Sequence, residues 1–382
     1  GVLSEPLLVR VGLKYLRFFS YGGAHPVAQD AIHVLNPEER KRLRAIERGA
    51  IARAALAGAL SSLVAAVVEL EVARPLLGAR PRYATFDDQV RFYAVLGAAT
   101  VIASAIEIAF LYWDGLRSVH QLAHAAGLDL FPETEDDDAA VAAAMARAAL
   151  ELPNPIQNLF GVNPRREASR LRLIVASLVY KAKISVTNFL VKMLVRRTVG
   201  RAFVRSWLPF VAVPLTAAWN GVVCRLIIRE ARIRAMGPSA AKEMLDVILE
   251  AHGGELGREA RDCLVRAVAS SIVRTEDLHP NLVALFREVA ARANIDIPVD
   301  VDDTRVFLTH LPELGPDERT CVLRVLSVAS IIDGRLTRNE KRLIVDARRR
   351  CGRDARLDAT MALRRAFVDG DPVEPALLTA LA

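Results

Sequence analysis

Two long apolar stretches near the start of the chain predict a pair of membrane-spanning helices. The first covers 50–68 and contains one charged residue, Arg53, and the second covers 92–113 with Glu107 as its only charge. About 20 consecutive apolar residues are enough for a helix to cross a bilayer. A short loop joins the two stretches, so we expect a transmembrane helical hairpin. The alternative is a pair of core helices in a soluble bundle, but the second stretch lacks the polar stripe that such helices carry.

Charges within and beside these stretches predict an orientation and an internal ion pair. A basic cluster at 40–48 precedes the first stretch, and the positive-inside rule therefore places both ends of the hairpin in the cytoplasm. Arg53 and Glu107 lie near the inner ends of their stretches, so an antiparallel hairpin brings them to a similar depth. Since intramembrane charges are costly unless they are paired, we predict an Arg53–Glu107 pair. Separate contacts of each side chain with the headgroup region are the alternative.

The residues before the hairpin predict two helices around a break at Gly22 and Gly23. Arg10, Lys14 and Arg17 interrupt the early apolar residues, so the segment does not match a secretory signal. We therefore expect both helices to lie on the cytosolic side.

Composition favours an all-α protein with an anionic partner. Hydrophobic residues make up 52% of the chain, and alternation typical of strands is hard to find. The net charge is +7, but 165–236 holds 15 lysines and arginines against two glutamates, a local net charge of +13. Such a region suits anionic lipid headgroups. Nucleic acid is not expected as a partner, because interleaved aromatic residues are lacking.

This basic region predicts a membrane-associated surface. The apolar run that follows, 207–228, contains two prolines and an asparagine, which predict a kinked, re-entrant or interfacial helix in place of a straight span. A solvated cationic face on a soluble bundle is the alternative. The residues that we predict to bind anionic lipid are Lys181, Lys183, Lys192, Arg196, Arg197, Arg201 and Arg205.

The same region resembles the EcsC family. The resemblance rests on the Tyr180-Lys-Ala-Lys stretch, on Leu208-Pro-Phe-Val-Ala-Val-Pro214 and on Trp219-Asn220, in which a basic helix leads into an apolar segment that ends at an asparagine. That family is implicated in membrane-related processes, so the resemblance implies a membrane location more than a chemical activity.

The C-terminal part of the chain contains an internal repeat at an offset of 58 residues, in which Arg266–Leu278 aligns with Arg324–Leu336. Each copy predicts an apolar helix, a tight turn and a second helix. Two such copies predict a pseudo-symmetric helical bundle.

The turn Asp333-Gly-Arg-Leu-Thr-Arg-Asn-Glu340 resembles the TerB-like family of tellurite-resistance and J-protein-associated domains, over about 243–368. In some members of that family the acidic turn residues bind a divalent metal, which implies Asp333 and Glu340 as ligands. The equivalent positions of the first copy are Thr275 and Leu282.

The same turn has a purely structural explanation. Thr337 and Glu340 match a capping box that opens a helix, and two carboxylates supply too few oxygens for a calcium ion. Nearby, Asp303 is placed to cap a helix that begins near Thr304.

These patterns favour a non-enzymatic, membrane-anchored scaffold or stress-related protein of the bacterial inner membrane, with both termini cytoplasmic. No P-loop, GxGxxG, GxSxG or zincin motif is present, so we expect no enzyme and no cofactor apart from the divalent metal implied above. The partners expected are the lipid bilayer, anionic lipid and a protein; the sequence does not set an oligomeric state. A small transporter or channel and a divalent-metal-responsive sensor are the alternatives.

The predicted segments are 1–48, two cytosolic helices; 49–130, the hairpin and a following helix; 131–164, an acidic linker and short helix; 165–238, the EcsC-like region; and 239–382, the TerB-like domain.

Overall fold

The computed structural model describes residues 7–20, 37–77, 85–126, 130, 138–150, 152, 154, 161–164, 166 and 208–382. All regular structure in these residues is helical, with no strand, which confirms the all-α prediction. In chain order the α-helices of this part of the chain are α1 (Leu7–Ser20), α2 (Pro37–Val67), α3 (Phe86–Ala125), α4 (Asp138–Ala149), α5 (Leu208–His252), α6 (Arg258–Thr275), α7 (Pro280–Ala293), α8 (Thr304–His310), α9 (Pro316–Ala329), α10 (Arg338–Arg350), α11 (Asp358–Asp369) and α12 (Pro375–Thr379).

The described residues belong to two compact units, and neither is continuous in sequence. The apolar-helix unit takes its residues from 44–121 and 170–229. The C-terminal unit takes its residues from 1–43, 122–169 and 230–382. Helix α5 contributes to both units, so chain order alone does not define either one.

Helices α2 and α3 of the apolar-helix unit are long, apolar and largely exposed. A π-helical turn, Val68–Ala73, and a 3₁₀ turn, Arg74–Leu77, extend α2. The most apolar 18-residue windows of the extended α2 and of α3 have mean hydropathies of 1.9 and 2.1, and only 33% and 11% of these windows are buried. Two helices are therefore long and apolar enough to cross a membrane, in the places where the apolar stretches predict them.

Helix α5 runs without interruption for 45 residues, through Pro214, Asn220 and Pro238. The re-entrant segment considered for 207–228 is therefore not observed within the described residues. The boundary predicted at 238/239 falls inside the helix as well. Buried side chains on both sides of Pro238, such as Met236 and Met244, explain why the helix continues, because their packing offsets the backbone hydrogen bond that a proline removes.

Helices α6 to α10 build the core of the C-terminal unit. Helix α6 packs along α9 and also contacts α7, α8 and α10. Phe286, Phe307 and Leu326 are fully or almost fully buried between them. Helices α6 and α9 begin 58 residues apart, at Arg258 and Pro316, and α7 and α10 are separated by the same interval.

The structure confirms the two helix starts predicted in this unit. The Asp303 carboxylate accepts hydrogen bonds from the backbone N–H groups of Arg305 and Val306 and caps α8. Thr337 Oγ1 accepts from Glu340 N at 3.2 Å, and Glu340 Oε2 accepts from Thr337 N at 2.8 Å, which completes the capping box of α10. Each cap satisfies backbone donors that a helix start leaves without a partner.

Candidate functional site

Two buried carboxylates, Asp333 and Glu340, lie where α9 turns into α10. Their residues are 4% and 0% exposed, respectively. Both Glu340 oxygens accept hydrogen bonds, one from the backbone of Thr337 and one from Ser271 Oγ at 3.3 Å. Asp333 Oδ1 accepts from the backbone N–H of Arg335 at 2.8 Å. Residues from α6 and from the turn between α9 and α10 therefore hold this carboxylate pair in place.

A glycine allows the turn to lie against α5. Gly334 has a φ of +75°, and a Cβ at this position would lie 2.4 Å from Ile233 Cδ1. Any larger residue would combine left-handed backbone strain with a steric clash. Gly334 therefore allows the turn that carries Asp333 to pack against α5.

Burial changes the protonation of both carboxyl groups. Burial, and then the negative charge of Asp333, raises the pKa of Glu340 to about 8. Burial also raises the pKa of Asp333, and the negative charge of Asp277 adds to this effect, although the backbone hydrogen bond from Arg335 and its positive charge oppose it. Glu340 therefore keeps its proton near neutral pH, because a low-dielectric site disfavours a second negative charge.

A histidine and a glutamate lie beside this pair. His279 Nδ1 accepts from Asn281 N at 3.2 Å, so Nε2 carries the proton that faces Glu230 Oε1 at 3.1 Å. Burial raises the pKa of Glu230, but the hydrogen bond with His279 and the positive charges of Arg234 and Arg335 outweigh burial and lower it. The cluster thus contains an ionised Glu230 and a protonated Glu340 at neutral pH.

Asn281 connects the turn to α5. Its Nδ2 donates to the backbone carbonyls of Ile233 at 2.9 Å and Ile332 at 2.7 Å. Gly237 makes room for this side chain, because a Cβ there would lie 2.0 Å from Asn281 Cγ. One buried amide therefore fixes α5, α7 and the acidic turn relative to one another within the C-terminal unit.

The carboxylate pair alone supplies few ligands for a divalent cation. Within the described parts of the chain, no group of three or more His, Cys, Asp or Glu side chains is arranged to hold a metal ion. Both oxygens of Glu340 already make hydrogen bonds within the protein. Leu282, which occupies the position of Glu340 in the first copy of the repeat, is a buried apolar residue. Calcium takes six or more oxygen ligands, more than these two carboxylates supply, and metal binding by Asp333 and Glu340 stays a prediction of the resemblance.

In the apolar-helix unit, Arg53 has a different partner from the one predicted. Arg53 Nε donates to Asp114 Oδ1 at 2.7 Å, and its Nη2 donates to Ser118 Oγ at 3.1 Å. Glu107 Oε1 instead accepts from Asn220 Nδ2 at 2.8 Å. The predicted Arg53–Glu107 pair is therefore wrong. Arg53 pairs with a residue of α3 that lies seven positions, about two helical turns, beyond Glu107.

Small and polar residues join α2 to α5. Ser62 Oγ and Thr216 Oγ1 are 2.6 Å apart, and Thr216 Oγ1 also donates to the backbone carbonyl of Gly58 at 3.0 Å. A Cβ on Gly58 would lie 2.7 Å from Asn220 Nδ2. Close backbone approach at a glycine together with interhelical hydrogen bonds is typical of helix packing in membranes.

A groove of about 670 Å³ lies between α2 and α3. Arg53 and Glu107 line it together with a largely apolar wall. The large apolar residues of that wall are Leu56, Leu60, Val64, Ile102, Ile106 and Phe110. We refer to this feature as the α2–α3 groove.

The predicted lipid-binding residues cannot be placed in the same way. Lys181, Lys183, Lys192, Arg196, Arg197, Arg201 and Arg205 all lie outside the described residues. Their role in binding anionic lipid stays a prediction.

Sequence reasoning did not identify several residues of the carboxylate cluster. Ser271, His279 and Asn281 are 0%, 1% and 0% exposed, yet each makes a polar contact. Ser271 lies on the buried face of α6, His279 in the segment that follows it and Asn281 in the first turn of α7, so the available signal is a polar residue at a position that is expected to be buried. In the sequence, Glu230 is distinguished only as one of the two glutamates of the basic region 165–236.

Comparisons with known proteins add no relative. The EcsC-like and TerB-like resemblances therefore rest on the quoted motifs alone. Against protein-family models, curated proteins and solved structures, no match to this chain was found.

Proposed function

We propose that this chain is a non-enzymatic, membrane-anchored protein that presents a TerB-like helical domain to the bacterial cytosol, where the domain binds a protein partner. The observation that carries the proposal is the exposure of α3. Its most apolar window is 11% buried, whereas a core helix of a soluble protein is mostly buried. A bilayer is the environment in which such a surface is stable.

Exposed apolar side chains of α2 and α3 support the same proposal. Ile102 and Ile106 are 60% and 66% exposed, and Leu60 on α2 is 52% exposed. Contiguous exposed apolar surface of this kind marks contact with a membrane or another protein. Two charged side chains of these helices, Arg53 and Glu107, meet protein partners, which is how charges are accommodated at membrane depth.

Features of the C-terminal unit support a binding module with an internal repeat. The 58-residue spacing of the helix starts agrees with the sequence offset, and left-handed residues at Glu276 and Gly334 are separated by the same interval. A polar groove of about 930 Å³, lined by Arg258, Asp296 and Pro298 among others, lies in this unit. Val299, next to Pro298, is 99% exposed, so this surface is our candidate for the protein contact.

Reporter fusions at the C-terminus test the predicted sidedness. A C-terminal green fluorescent protein should fluoresce and a C-terminal alkaline phosphatase should be inactive, since phosphatase folds only outside the cytosol. Active phosphatase would place the C-terminus outside and overturn the proposal.

Photo-crosslinking in cells tests the protein contact. A photoreactive amino acid at Val299 should give a discrete crosslinked band, whereas the same residue at Met361, which is 41% exposed on α11, serves as the matched control. Bands of equal intensity at both positions, or none at Val299, would count against this contact surface.

A small transporter or channel is the second candidate, and the α2–α3 groove is the observation that favours it. Glu107 is 3% exposed and lines the groove, so a solute path there would pass a carboxylate. Glu107→Gln should then reduce ion or solute flux in proteoliposomes while leaving the protein folded. Equal flux through empty liposomes, wild type and variant would exclude this function.

A further inference from the structure

Helix α1 has three different faces. Its buried face, formed by Val9, Gly12, Leu13 and Leu16, packs within the C-terminal unit, where α1 contacts the alanine-rich helix α4. This contact explains only part of the helix surface. The other two faces are exposed.

The first exposed face is apolar and aromatic. Phe18 is 72% exposed and Leu7 is 66% exposed, and Leu8, Val11 and Tyr15 are between 40% and 43% exposed. At about 100° per residue, these five side chains cover one continuous strip of roughly 100° beside the buried face. Large apolar side chains are seldom exposed as a continuous strip unless a partner covers them.

The second exposed face is basic and borders the apolar strip. Arg10, Lys14 and Arg17 follow one another at spacings of four and three residues, so they share one side of α1. Glutamate and aspartate are both absent from 7–20. An apolar strip next to a lysine- and arginine-rich strip is the pattern of helices that lie in the headgroup region of an anionic bilayer.

We propose that α1 is an interfacial helix that docks the C-terminal unit on an anionic membrane surface. Charge complementarity selects this occupant over a protein groove, because the sequence of α1 itself holds three cations and no anion. The aromatic and aliphatic side chains enter the acyl boundary, while the basic side chains contact lipid phosphates. The site is separate from the predicted spans and from the basic region between 165 and 236, so it goes beyond membrane anchoring.

Hydrogen–deuterium exchange on the full-length protein in nanodiscs tests the proposal. Exchange of residues 7–20 should be slower in discs that contain phosphatidylglycerol than in discs of phosphatidylcholine alone. Each lysine or arginine near an anionic surface strengthens attachment by about fivefold. Changing Arg10, Lys14 and Arg17 together to glutamate should therefore remove up to about 100-fold of the lipid-dependent protection.

A matched control separates local docking from general charge attraction. Arg338, Arg342 and Arg349 are exposed basic residues on α10, whose exposed surface carries no large hydrophobic side chain. Their change to glutamate alters the net charge equally and should leave the protection of α1 intact. Phe18→Ser should weaken protection without altering charge, and its side chain is too exposed to hold the fold together.

The proposal fails if α1 exchanges at the same rate in neutral and anionic discs, or if the α10 variant loses as much protection as the α1 variant. These outcomes are distinct from failure of the membrane anchor. A protein that does not insert into discs can still be tested by adding phosphatidylglycerol vesicles and measuring the same peptides.

Discussion

Replacing Glu340 with glutamine tests whether this buried carboxyl group holds a proton at neutral pH. Glutamine keeps the side-chain oxygen that accepts from Thr337 N, since glutamine also completes a capping box. It removes the titrating group next to Asp333. The helix start is therefore preserved, while the pH dependence that Glu340 itself contributes is lost.

The expected magnitude follows from the pKa difference. The pKa of Glu340 is about 8 in the folded protein against an ordinary value of 4.5, so the folded state keeps a proton that the unfolded chain releases between these values. The free energy of unfolding is highest below pH 4.5 and falls as the pH rises towards 8. From pH 6 to pH 9 the loss is about 2.5 kcal/mol, or roughly 70-fold in the equilibrium constant for opening. The raised pKa of Asp333 acts in the same direction.

Amide exchange of α10 measures this loss directly in the full-length protein in detergent micelles. After correction for the intrinsic pH dependence of exchange, wild-type α10 should open more readily at pH 9 than at pH 6, and Glu340→Gln should show a clearly smaller difference. Glu374→Gln makes the same chemical change at an exposed helix start and should behave like the wild type. A pH dependence that persists undiminished in Glu340→Gln, or that is absent from the wild type, would refute the reasoning.

Three further substitutions test the packing, each by thermal unfolding of the full-length protein in detergent. Gly58→Ala should destabilise by about 1–3 kcal/mol because its Cβ meets Asn220, whereas Gly97→Ala, with no atom within 4 Å, should be neutral or stabilise by up to about 1 kcal/mol. Gly334→Ala should cost about 3 kcal/mol through strain and a clash, and Gly352→Ala, which also has a positive φ but open space, only about 1 kcal/mol. Arg53→Gln should cost about 2 kcal/mol, between the values for exposed and buried ion pairs, because its carboxylate partner is 3% exposed.

The paired variants also define the outcomes that contradict the structure. Equal effects at Gly58 and Gly97 would mean that α2 and α5 are not in close contact. Equal effects at Gly334 and Gly352 would mean that the acidic turn does not press against α5. If the Arg53→Gln protein were as stable as the wild type, the ion pair with Asp114 would not stabilise the folded protein.

Local sequence signals predict much of this fold. The apolar stretches of α2 and α3 exceed the length of most core helices, so their helical form and their apolar surface follow from hydropathy alone. Asp303 and Thr337 cap α8 and α10 as predicted, because a cap depends on residues within one helical turn.

Contacts between distant segments are not predictable in the same way. The prediction of an Arg53–Glu107 pair uses only the similar depth of the two residues in a bilayer. The partner of a long side chain also depends on how the helices are rotated and on their register. Asn220 reaches Glu107 from α5, more than 100 residues away in sequence. No local sequence pattern predicts this hydrogen bond. The same holds for Asn281, which donates to backbone carbonyls of two other segments.

Alkaline carbonate extraction of membranes from cells that express the full chain tests the central claim most directly. Helices that cross the bilayer stay in the membrane pellet under these conditions, while proteins attached only by charge or by a surface helix are released. The account predicts that the protein remains in the pellet, including the variant in which Arg10, Lys14 and Arg17 are glutamate. Release of the wild-type protein into the supernatant would contradict it.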